Sequence, residues 1–182
     1  MGELVNTLSI DRVPNAVNTA FADVLKAPSA QKLLESCDTG GYFCLKVIGR
    51  EELLIEPMLI GEVSDDNKDE YIELCQEKVH RLEAEFLADP QHVRSSYQSR
   101  DPENNKWGGA ITGFDNDGTG YLFGFSGLPE LCDEAIMVVA VMEVGLLADD
   151  EALEIAEISG SDDILWECVD FGDGIVDDGS DR

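Results

Sequence analysis

Positive charge is what this sequence has least of. Its 182 residues include 12 lysines and arginines against 39 aspartates and glutamates, which gives a formal net charge of -27. A chain this acidic repels both the phosphates of nucleic acids and the headgroups of anionic lipids. We therefore expect neither nucleic acid nor a membrane surface among its partners.

Long apolar runs and secretion signals are also lacking. The most apolar stretch, residues 135–147, is interrupted by Glu143 and is too short to cross a hydrocarbon core of about 30 Å. The first ten residues include Glu3 and several polar residues instead of a basic region followed by an apolar one. The sequence thus predicts a soluble, cytoplasmic protein in which residues 135–147 belong to a buried helix.

Cysteine and histidine are too few, and too scattered, for the common reactive sites. The five cysteines are widely spaced and form no C-x-x-C pair, so reduced thiols in a core are favoured over disulfides or a zinc site. Gly124-Phe-Ser-Gly differs from the G-x-S-x-G nucleophile elbow, and only His80 and His92 are available as partners of a nucleophile. The sequence therefore does not favour an enzyme.

Two motifs that resemble metal sites are incomplete. Glu77-x-x-His80-x-x-Glu83 places carboxylates and an imidazole on one helical face, but a di-iron site needs a second copy, so a solvated face is favoured. The run from Asp115 to Gly120 begins like a calcium loop, but Ser126 stands where the twelfth-position glutamate is required. A tight hairpin turn is the favoured interpretation of that run.

Hydrophobic periodicity predicts helices and strands in a regular order. Helices are expected over residues 13–27, 29–37, 69–87 and 129–147, with Ser29 as a cap of the second helix and Gly40-Gly41 as its end. Hairpins are expected over residues 42–63 and 108–126, with Pro57 at a sheet edge or bulge. This order predicts an α+β fold, in which helices pack on a mostly antiparallel sheet.

The C-terminal segment is the most acidic part of the chain. Residues 149–182 contain 13 acidic residues and one basic residue, interspersed with apolar side chains. We expect one domain over residues 1–148, followed by an acidic segment over residues 149–182 that docks in part on the domain. A helix over residues 149–158, a strand around residues 164–169 and a frayed end over residues 177–182 are expected within it.

Two groups of residues are candidates for ligand binding. Arg94, Arg100 and Trp107 lie in or beside a long polar loop, where they could hold a small acidic ligand or act as counter-charges for neighbouring carboxylates. The second group consists of residues whose backbone permits close approach by a ligand or by a helix: Gly108, Gly109, Ser126 and Gly127. Ser126 could also cap the helix that follows it, or help to bind an anion there.

The run Trp107-Gly-Gly-Ala-Ile, the run Gly124-Phe-Ser-Gly and the helix that begins near Asp133-Glu-Ala resemble the haem-binding HbpS-like and GlcG-like family. The resemblance covers about residues 69–147. It implies a profilin-like fold, self-association into a homo-oligomer, and a pocket that in some members of the family holds haem or another small ligand. The chain departs from the family in its N-terminal helices, in its acidic tail and in lacking a conspicuous histidine near the start of the family domain.

Three functional classes follow from these observations. The leading one is a non-enzymatic module that binds a small ligand or serves as an accessory protein. The alternative is an acidic adaptor whose C-terminal segment docks a basic protein partner, with association that weakens as salt is added. A third is an enzyme that uses the loop of Arg94, Arg100 and Trp107, with Asp101 or Glu103 as a base.

Overall fold

A computed structural model describes residues 8–34 and 38–172, and within them the chain forms six α-helices and four β-strands. The helices are α1 (Val13–Lys26), α2 (Pro28–Gln31), α3 (Lys68–Ala88), α4 (Glu130–Glu143), α5 (Asp149–Ser159) and α6 (Asp162–Cys168). The strands are β1 (Thr39–Val47), β2 (Leu53–Glu62), β3 (Ala110–Phe114) and β4 (Gly120–Ser126). Short 3-10 turns at Ser96–Ser99 and Pro102–Asn104 interrupt the loop between α3 and β3.

The four strands form one open antiparallel sheet in the order β2-β1-β4-β3. Two hairpins, β1–β2 and β3–β4, are joined where β1 pairs with β4, from Tyr42 opposite Ser126 to Val47 opposite Tyr121. Helices pack on this sheet. The predicted α+β class, with a mostly antiparallel sheet, is therefore confirmed.

Alternate residues of the central strands are buried on opposite faces of the sheet. Tyr42 and Cys44 pack under α3, whereas Phe43 and Leu45 join a larger core on the opposite face. That larger core is formed with α1, α4, α5 and α6. Because both faces are covered, β1 is apolar along most of its length instead of alternating between apolar and polar residues.

Pro57 lies in the edge strand β2, where the pairing with β1 is irregular between Phe43 and Leu45. This is the edge or bulge position expected for a residue without an amide hydrogen. Gly40 and Gly41 were expected to end the preceding helix. That prediction is wrong, because both glycines belong to β1. A side chain at Gly41 would collide with the backbone of Ser126 in the neighbouring strand.

The predicted helix over residues 29–37 is wrong in its start and its cap. The helix begins at Pro28, is only four residues long, and has Ala27 at its N-cap. Ser29 instead donates hydrogen bonds from its amide and its hydroxyl to Glu167, each at 2.8 Å. The remainder of that prediction, including Cys37, extends to residues outside those that the structure describes.

The acidic C-terminal segment contributes helices to the fold as far as the structure describes it. α5 confirms the predicted helix over residues 149–158, but the strand expected around residues 164–169 is wrong, because α6 occupies that stretch. Ile164 and Leu165 are buried against the helical core, which is the pairing that a helix produces on one face. The expected frayed end at residues 177–182 lies outside the described residues.

The described residues contain neither a helix that could cross a membrane nor a disulfide bond. None of the helices within residues 8–34 and 38–172 has the length and apolarity needed to cross a membrane. Cys44, Cys75, Cys132 and Cys168 are all free thiols, and the first three are buried. The sulfurs of Cys44 and Cys75 lie 3.1 Å apart, one on β1 and the other on α3.

The run from Asp115 to Gly120 forms the turn between β3 and β4. One oxygen of the Asp115 carboxylate accepts hydrogen bonds from the amides of Asp117 and Thr119, at 3.0 and 2.9 Å. The other oxygen accepts one from the hydroxyl of Tyr121 at 3.2 Å. The oxygens that suggested a calcium loop therefore stabilise the turn itself.

Candidate functional site: a cavity between α3 and the start of α4

A cavity of about 480 Å³ opens at the end of the sheet where β4 leads into α4. Its lining comes largely from the N-terminal half of α3 and from the connection between β4 and α4. Its lining residues are Asp38, Asn67, Tyr71, Leu74, Lys78, Trp107, Ser126, Gly127, Leu128, Pro129, Glu130 and Asp133. We call this space the α3–α4 cavity.

A buried ion pair forms part of the lining. The Nζ of Lys78 donates hydrogen bonds to Oδ2 of Asp133 and to the carbonyl oxygen of Phe125, both at 2.9 Å. The two side chains are only 1% and 2% exposed. Oδ1 of Asp133 also accepts a hydrogen bond from the amide of Leu128 at 3.0 Å. Burial raises the pKa of Asp133 to about 6, although Lys78 opposes that shift.

The other carboxylates near the start of α4 bind the glycine pair that precedes β3. The amide of Gly108 donates to Glu130 at 3.0 Å, and the amide of Gly109 donates to Glu134 at 2.7 Å. The hydroxyl of Ser95 donates to the second oxygen of Glu134. Glu134 is fully buried, and burial raises its pKa to about 7. These bonds fix the loop before β3 against α4.

Gly109 has no room for a side chain. Its φ of +116° is rare for other residues, and a Cβ there would lie 2.8 Å from the carbonyl oxygen of Phe125 and 2.9 Å from Nζ of Lys78. A Cβ at Gly108 would lie 2.8 Å from the ring of Tyr97. The close approach suggested by these glycines is therefore made by neighbouring protein groups.

The rim of the cavity carries an ionised carboxylate. Asp38 accepts a hydrogen bond from Nδ2 of Asn67 at 2.8 Å, and hydrogen bonds from Asn67, Tyr71 and Ser64 hold its pKa below the ordinary value. No lysine, arginine or histidine among the described residues forms an ion pair with it. Asp38 therefore contributes a negative charge at the entrance.

Trp107 is held in place from two sides. Its carbonyl oxygen accepts a hydrogen bond from Arg81 on α3 at 2.6 Å, and its indole N–H donates to Oδ1 of Asn105 at 2.8 Å. Arg81 also donates to the carbonyl oxygen of Ser96 at 2.7 Å and to the hydroxyl of Ser99 at 2.5 Å, so one guanidinium binds three points of the long loop. The indole is thus positioned as part of the cavity lining before any ligand arrives.

The two arginines singled out in the sequence lie outside the cavity lining. Arg100 pairs with Glu130 and lies 5.1 Å from the ring centroid of Tyr97 and 6.0 Å from that of Trp107. It therefore supports the cavity wall from behind. Arg94 lies 5.6 Å from the ring centroid of Phe114 and lines a separate depression beside α5.

The cavity thus brings together part of the predicted set and several residues that sequence reasoning missed. Trp107, Ser126 and Gly127 line it, whereas Gly108 and Gly109 lie outside the lining and donate hydrogen bonds to Glu130 and Glu134. The missed residues are Asp38, Asn67, Tyr71, Leu74, Lys78, Leu128, Pro129, Glu130 and Asp133. A signal for Lys78 was present, because its position falls on the apolar stripe of α3, between Cys75 and Leu82. A lysine on such a stripe needs a buried partner.

Ser126 contributes a hydroxyl to the cavity lining and is 3% exposed. Within the described residues, no buried side-chain nitrogen or oxygen lacks a hydrogen-bond partner. Ser126 lies at the end of β4, on the sheet face that α3 covers, where Tyr42 is its neighbour on β1. It does not cap α4, whose N-cap is Pro129.

The described residues do not fit a metal site or a histidine-ligated haem in this cavity. Among residues 8–34 and 38–172, no three histidine, cysteine, aspartate or glutamate side chains are arranged to hold a metal ion. Glu77 pairs with Arg81, Glu83 pairs with Lys46, and His80 is exposed. Neither histidine lines the cavity, and carboxylates there would repel the propionates of haem.

Comparison of the chain with family models, with curated proteins and with solved structures found no match. The cavity and its chemistry are therefore the features of this chain that indicate a function.

Proposed function

We propose that this protein is a non-enzymatic module that binds a small ligand in the α3–α4 cavity. The observation that carries the proposal is the cavity itself, whose 480 Å³ falls in the range of about 300 to 1,000 Å³ typical of ligand sites. The side chain of Ser126 also belongs to the lining, and a hydroxyl can both donate and accept a hydrogen bond with a ligand.

The composition of the lining supports a binding role. Apolar and aromatic side chains from both walls supply contact area: Tyr71, Leu74, Trp107, Leu128 and Pro129. A few polar groups remain to orient a ligand. Small-molecule sites usually combine apolar contact area with a small number of polar groups in this way. The hydrogen bonds that fix Trp107 and the start of α4 preorganise these walls, and this lowers the entropic cost of binding.

The charged groups favour binding over catalysis. Lys78 is paired with Asp133, and Glu130 is paired with Arg100. A general base needs a carboxylate or imidazole that can reach the substrate in a reactive protonation state. Lys78, Asp133 and Glu130 thus have structural partners already, so we assign these three side chains to shaping the site.

The resemblance to the HbpS-like and GlcG-like family also supports the binding of a small ligand, with the exception of haem held by a histidine. The three segments that carry the resemblance meet at this cavity, through Trp107, through Ser126 and Gly127, and through Asp133. We propose a small ligand other than histidine-ligated haem, because the histidines lie elsewhere. Self-association, which the resemblance also implies, remains part of the proposal.

Native mass spectrometry of the protein purified without denaturation tests this proposal. We expect a bound molecule on the wild type, and the same spectrum reports the number of subunits. Leu74→Trp should fill the cavity and abolish the adduct, because Leu74 lines it. Leu87→Trp is the matched control on the same helix, since Leu87 is 62% exposed and lies outside the lining.

The adduct should persist in Leu87→Trp. Wild-type protein that carries no adduct in any preparation, or an adduct that survives in Leu74→Trp, would contradict ligand binding in this cavity.

A second candidate function is favoured by one feature of the acidic C-terminal segment. Trp166 on α6 is 41% exposed and stacks edge-on against Phe171, with ring centroids 4.6 Å apart. Asp163 and Asp170, which are close to Trp166 in the sequence, are also exposed. An exposed aromatic residue among acidic ones suits a basic protein partner, because aromatic anchors and charge complementarity both support association.

The adaptor proposal is tested with a basic protein as the probe. Binding of cytochrome c, followed by calorimetry at low and physiological salt, should weaken with salt and fall in Trp166→Ala. Leu33→Ala, which also truncates a partly exposed apolar side chain, is the control. Equal loss of binding in both variants, or no binding at low salt, contradicts a docking role for α6.

A further inference from the structure

The charge around the α3–α4 cavity indicates which ligands it favours. Four charged side chains line it. Three of them are carboxylates, those of Asp38, Glu130 and Asp133. Lys78 is the cation, and both of its described hydrogen bonds go to protein acceptors, Asp133 and the Phe125 carbonyl. The ion pairs of Lys78 with Asp133 and of Arg100 with Glu130 cancel, which leaves Asp38 as the uncompensated charge.

Asp38 is suited to attract a cation. Its hydrogen bonds come from neutral donors, Asn67, Tyr71 and Ser64, and they hold the carboxylate in its ionised form without neutralising it. The protein as a whole carries a formal charge of -27, so its field raises the local concentration of cations and lowers that of anions. An anionic ligand would have to overcome both effects.

The remaining lining defines the body of the ligand. Tyr71 and Leu74 from α3 line the cavity together with Trp107, Leu128 and Pro129, so much of the lining is apolar or aromatic. Aromatic rings also attract ammonium and guanidinium groups through their faces. Ser126 also belongs to the lining, where its hydroxyl can form a hydrogen bond with a ligand.

We infer that the α3–α4 cavity recognises a cationic amine: an alkylammonium or guanidinium group at Asp38, joined to an apolar body that lies between Tyr71 and Trp107. The inference rests on the proposed ligand-binding function and adds the chemical class of the ligand. A free amine and the side chain of a basic peptide share this chemistry. The competing class is a carboxylate held by Lys78.

Three probes of similar shape and different charge separate these classes: phenethylamine, 2-phenylethanol and 3-phenylpropionate. Each is titrated into the full-length protein while the indole N–H signal of Trp107 is followed by NMR. A Trp166→Phe background identifies that signal, because the chain has two tryptophans. Probes of this size bind at millimolar concentrations even when they fit well.

Phenethylamine should bind about tenfold more tightly than 3-phenylpropionate, with the alcohol between them. Asp38→Asn should weaken the amine about tenfold, which corresponds to about 1.4 kcal/mol, and should leave the alcohol unchanged. Asp117→Asn is the control, since it removes the same charge at an exposed turn outside the lining. It should leave the affinity for all three probes unchanged.

The source of the amine is tested with a lysine-containing peptide whose flanking residues are glycine and serine. Binding of free phenethylamine but not of this peptide assigns the site to a free amine, and binding of both assigns it to the shared cationic group. Each of these results supports a cation site.

The inference is wrong if 3-phenylpropionate binds as tightly as the amine, if Asp38→Asn leaves the amine affinity unchanged, or if none of the probes shifts the Trp107 signal. Binding of the carboxylate would overturn the cation assignment while leaving a ligand site in place. A native mass spectrum without any adduct would overturn the proposed function itself.

Discussion

The ion pair of Lys78 and Asp133 connects α3 to α4 almost entirely out of contact with solvent. Replacing one member leaves the other without its partner, which typically costs about 3 to 5 kcal/mol for a buried pair. We expect Lys78→Met to lower the free energy of unfolding by that order at pH 8. Urea denaturation measures the change, and Lys106→Met, at an exposed position, should change stability by less than about 0.5 kcal/mol.

The effect of Lys78→Met should depend on pH. Without the lysine, Asp133 avoids a buried negative charge by taking up a proton, so the loss of stability should shrink between pH 8 and pH 5. Adding Asp133→Asn to Lys78→Met should recover part of the stability at pH 8. A double variant less stable than Lys78→Met at pH 8 would contradict this account of the pair.

Glu134 predicts a second dependence on pH. Its folded pKa, raised to about 7, lies above the ordinary value of 4.5, so the unfolded chain releases this proton at a lower pH than the folded chain. The stabilisation associated with the neutral form is complete below about pH 4.5 and is lost as pH rises through 7. Stability should therefore fall between pH 5 and pH 8.

Glu134→Gln removes this titration while preserving an acceptor for Gly109 and a polar partner for Ser95. We expect the stability of the variant relative to wild type to improve by about 1 to 3 kcal/mol from pH 5 to pH 8. Asp117→Gln, at an exposed turn, serves as the control. A relative stability that is constant over this range would show that Glu134 titrates at an ordinary pKa.

Some of the cavity chemistry could be predicted from the sequence, and some of it depends on contacts that a sequence does not show. The glycines before β3 and after β4 indicated close approach, and the structure shows helix carboxylates and neighbouring backbone at Gly108 and Gly109. Asp38 lies far along the chain from Trp107. Its position at the rim of the cavity depends on the pairing of the strands and on its hydrogen bond with Asn67, and the sequence shows neither.

At the level of elements, α5 and α6 complete the core on the face of the sheet opposite α3. Leu165 is fully buried among residues of that core, so Leu165→Ala should cost about 2 to 5 kcal/mol. Leu87→Ala, at a position 62% exposed on α3, should cost less than about 1 kcal/mol. Denaturant unfolding of both variants gives the comparison, and equal costs would contradict the docking of α6.

This packing changes how the acidic segment is best tested. Truncation before α5 would remove Ile155, Ile164 and Leu165 from the core, so loss of partner binding there would not separate docking from unfolding. Truncation after Gly172 leaves every described helix in place. The shorter protein is therefore the suitable one for testing whether residues 173–182 bind a partner.

The two stretches of the acidic segment show why one helix was predicted and the other was not. Residues 149–158 have acidic residues at the start and apolar residues at helical spacing, and α5 follows them. The stretch over residues 164–169 is short and contains β-branched and aromatic residues. Such a pattern is compatible with a strand and with a helix. Ser159, Ser161, Ile164 and Leu165 are buried together on the core side, and this tertiary packing favours α6.

At the scale of the whole molecule, the order of elements was sufficient to predict the fold class. Two hairpins separated by a long helix favour an antiparallel sheet, because each hairpin pairs its own strands. The pairing of β1 with β4, which joins the hairpins, is not local. It places the start of β1 beside the end of β4, and it is this contact that creates the end of the sheet where the cavity opens.

The net charge predicts a dependence of stability on salt. Repulsion among charges in a chain of formal charge -27 destabilises the compact state, and added salt screens it. We expect Tm to rise between low salt and about 0.5 M NaCl, by about 2 to 4 °C for each kcal/mol of repulsion removed. Potassium chloride should have the same effect, whereas a response to sodium alone would indicate a specific ion site.

The central claim, that the α3–α4 cavity holds a small molecule, is tested most directly by a crystal structure of the protein with the molecule that copurifies with it. Density for that molecule should lie between Tyr71 and Trp107, within hydrogen-bonding distance of the Ser126 hydroxyl and with its cationic group at Asp38. Density for the molecule at any other surface, with only water in the cavity, would contradict the claim.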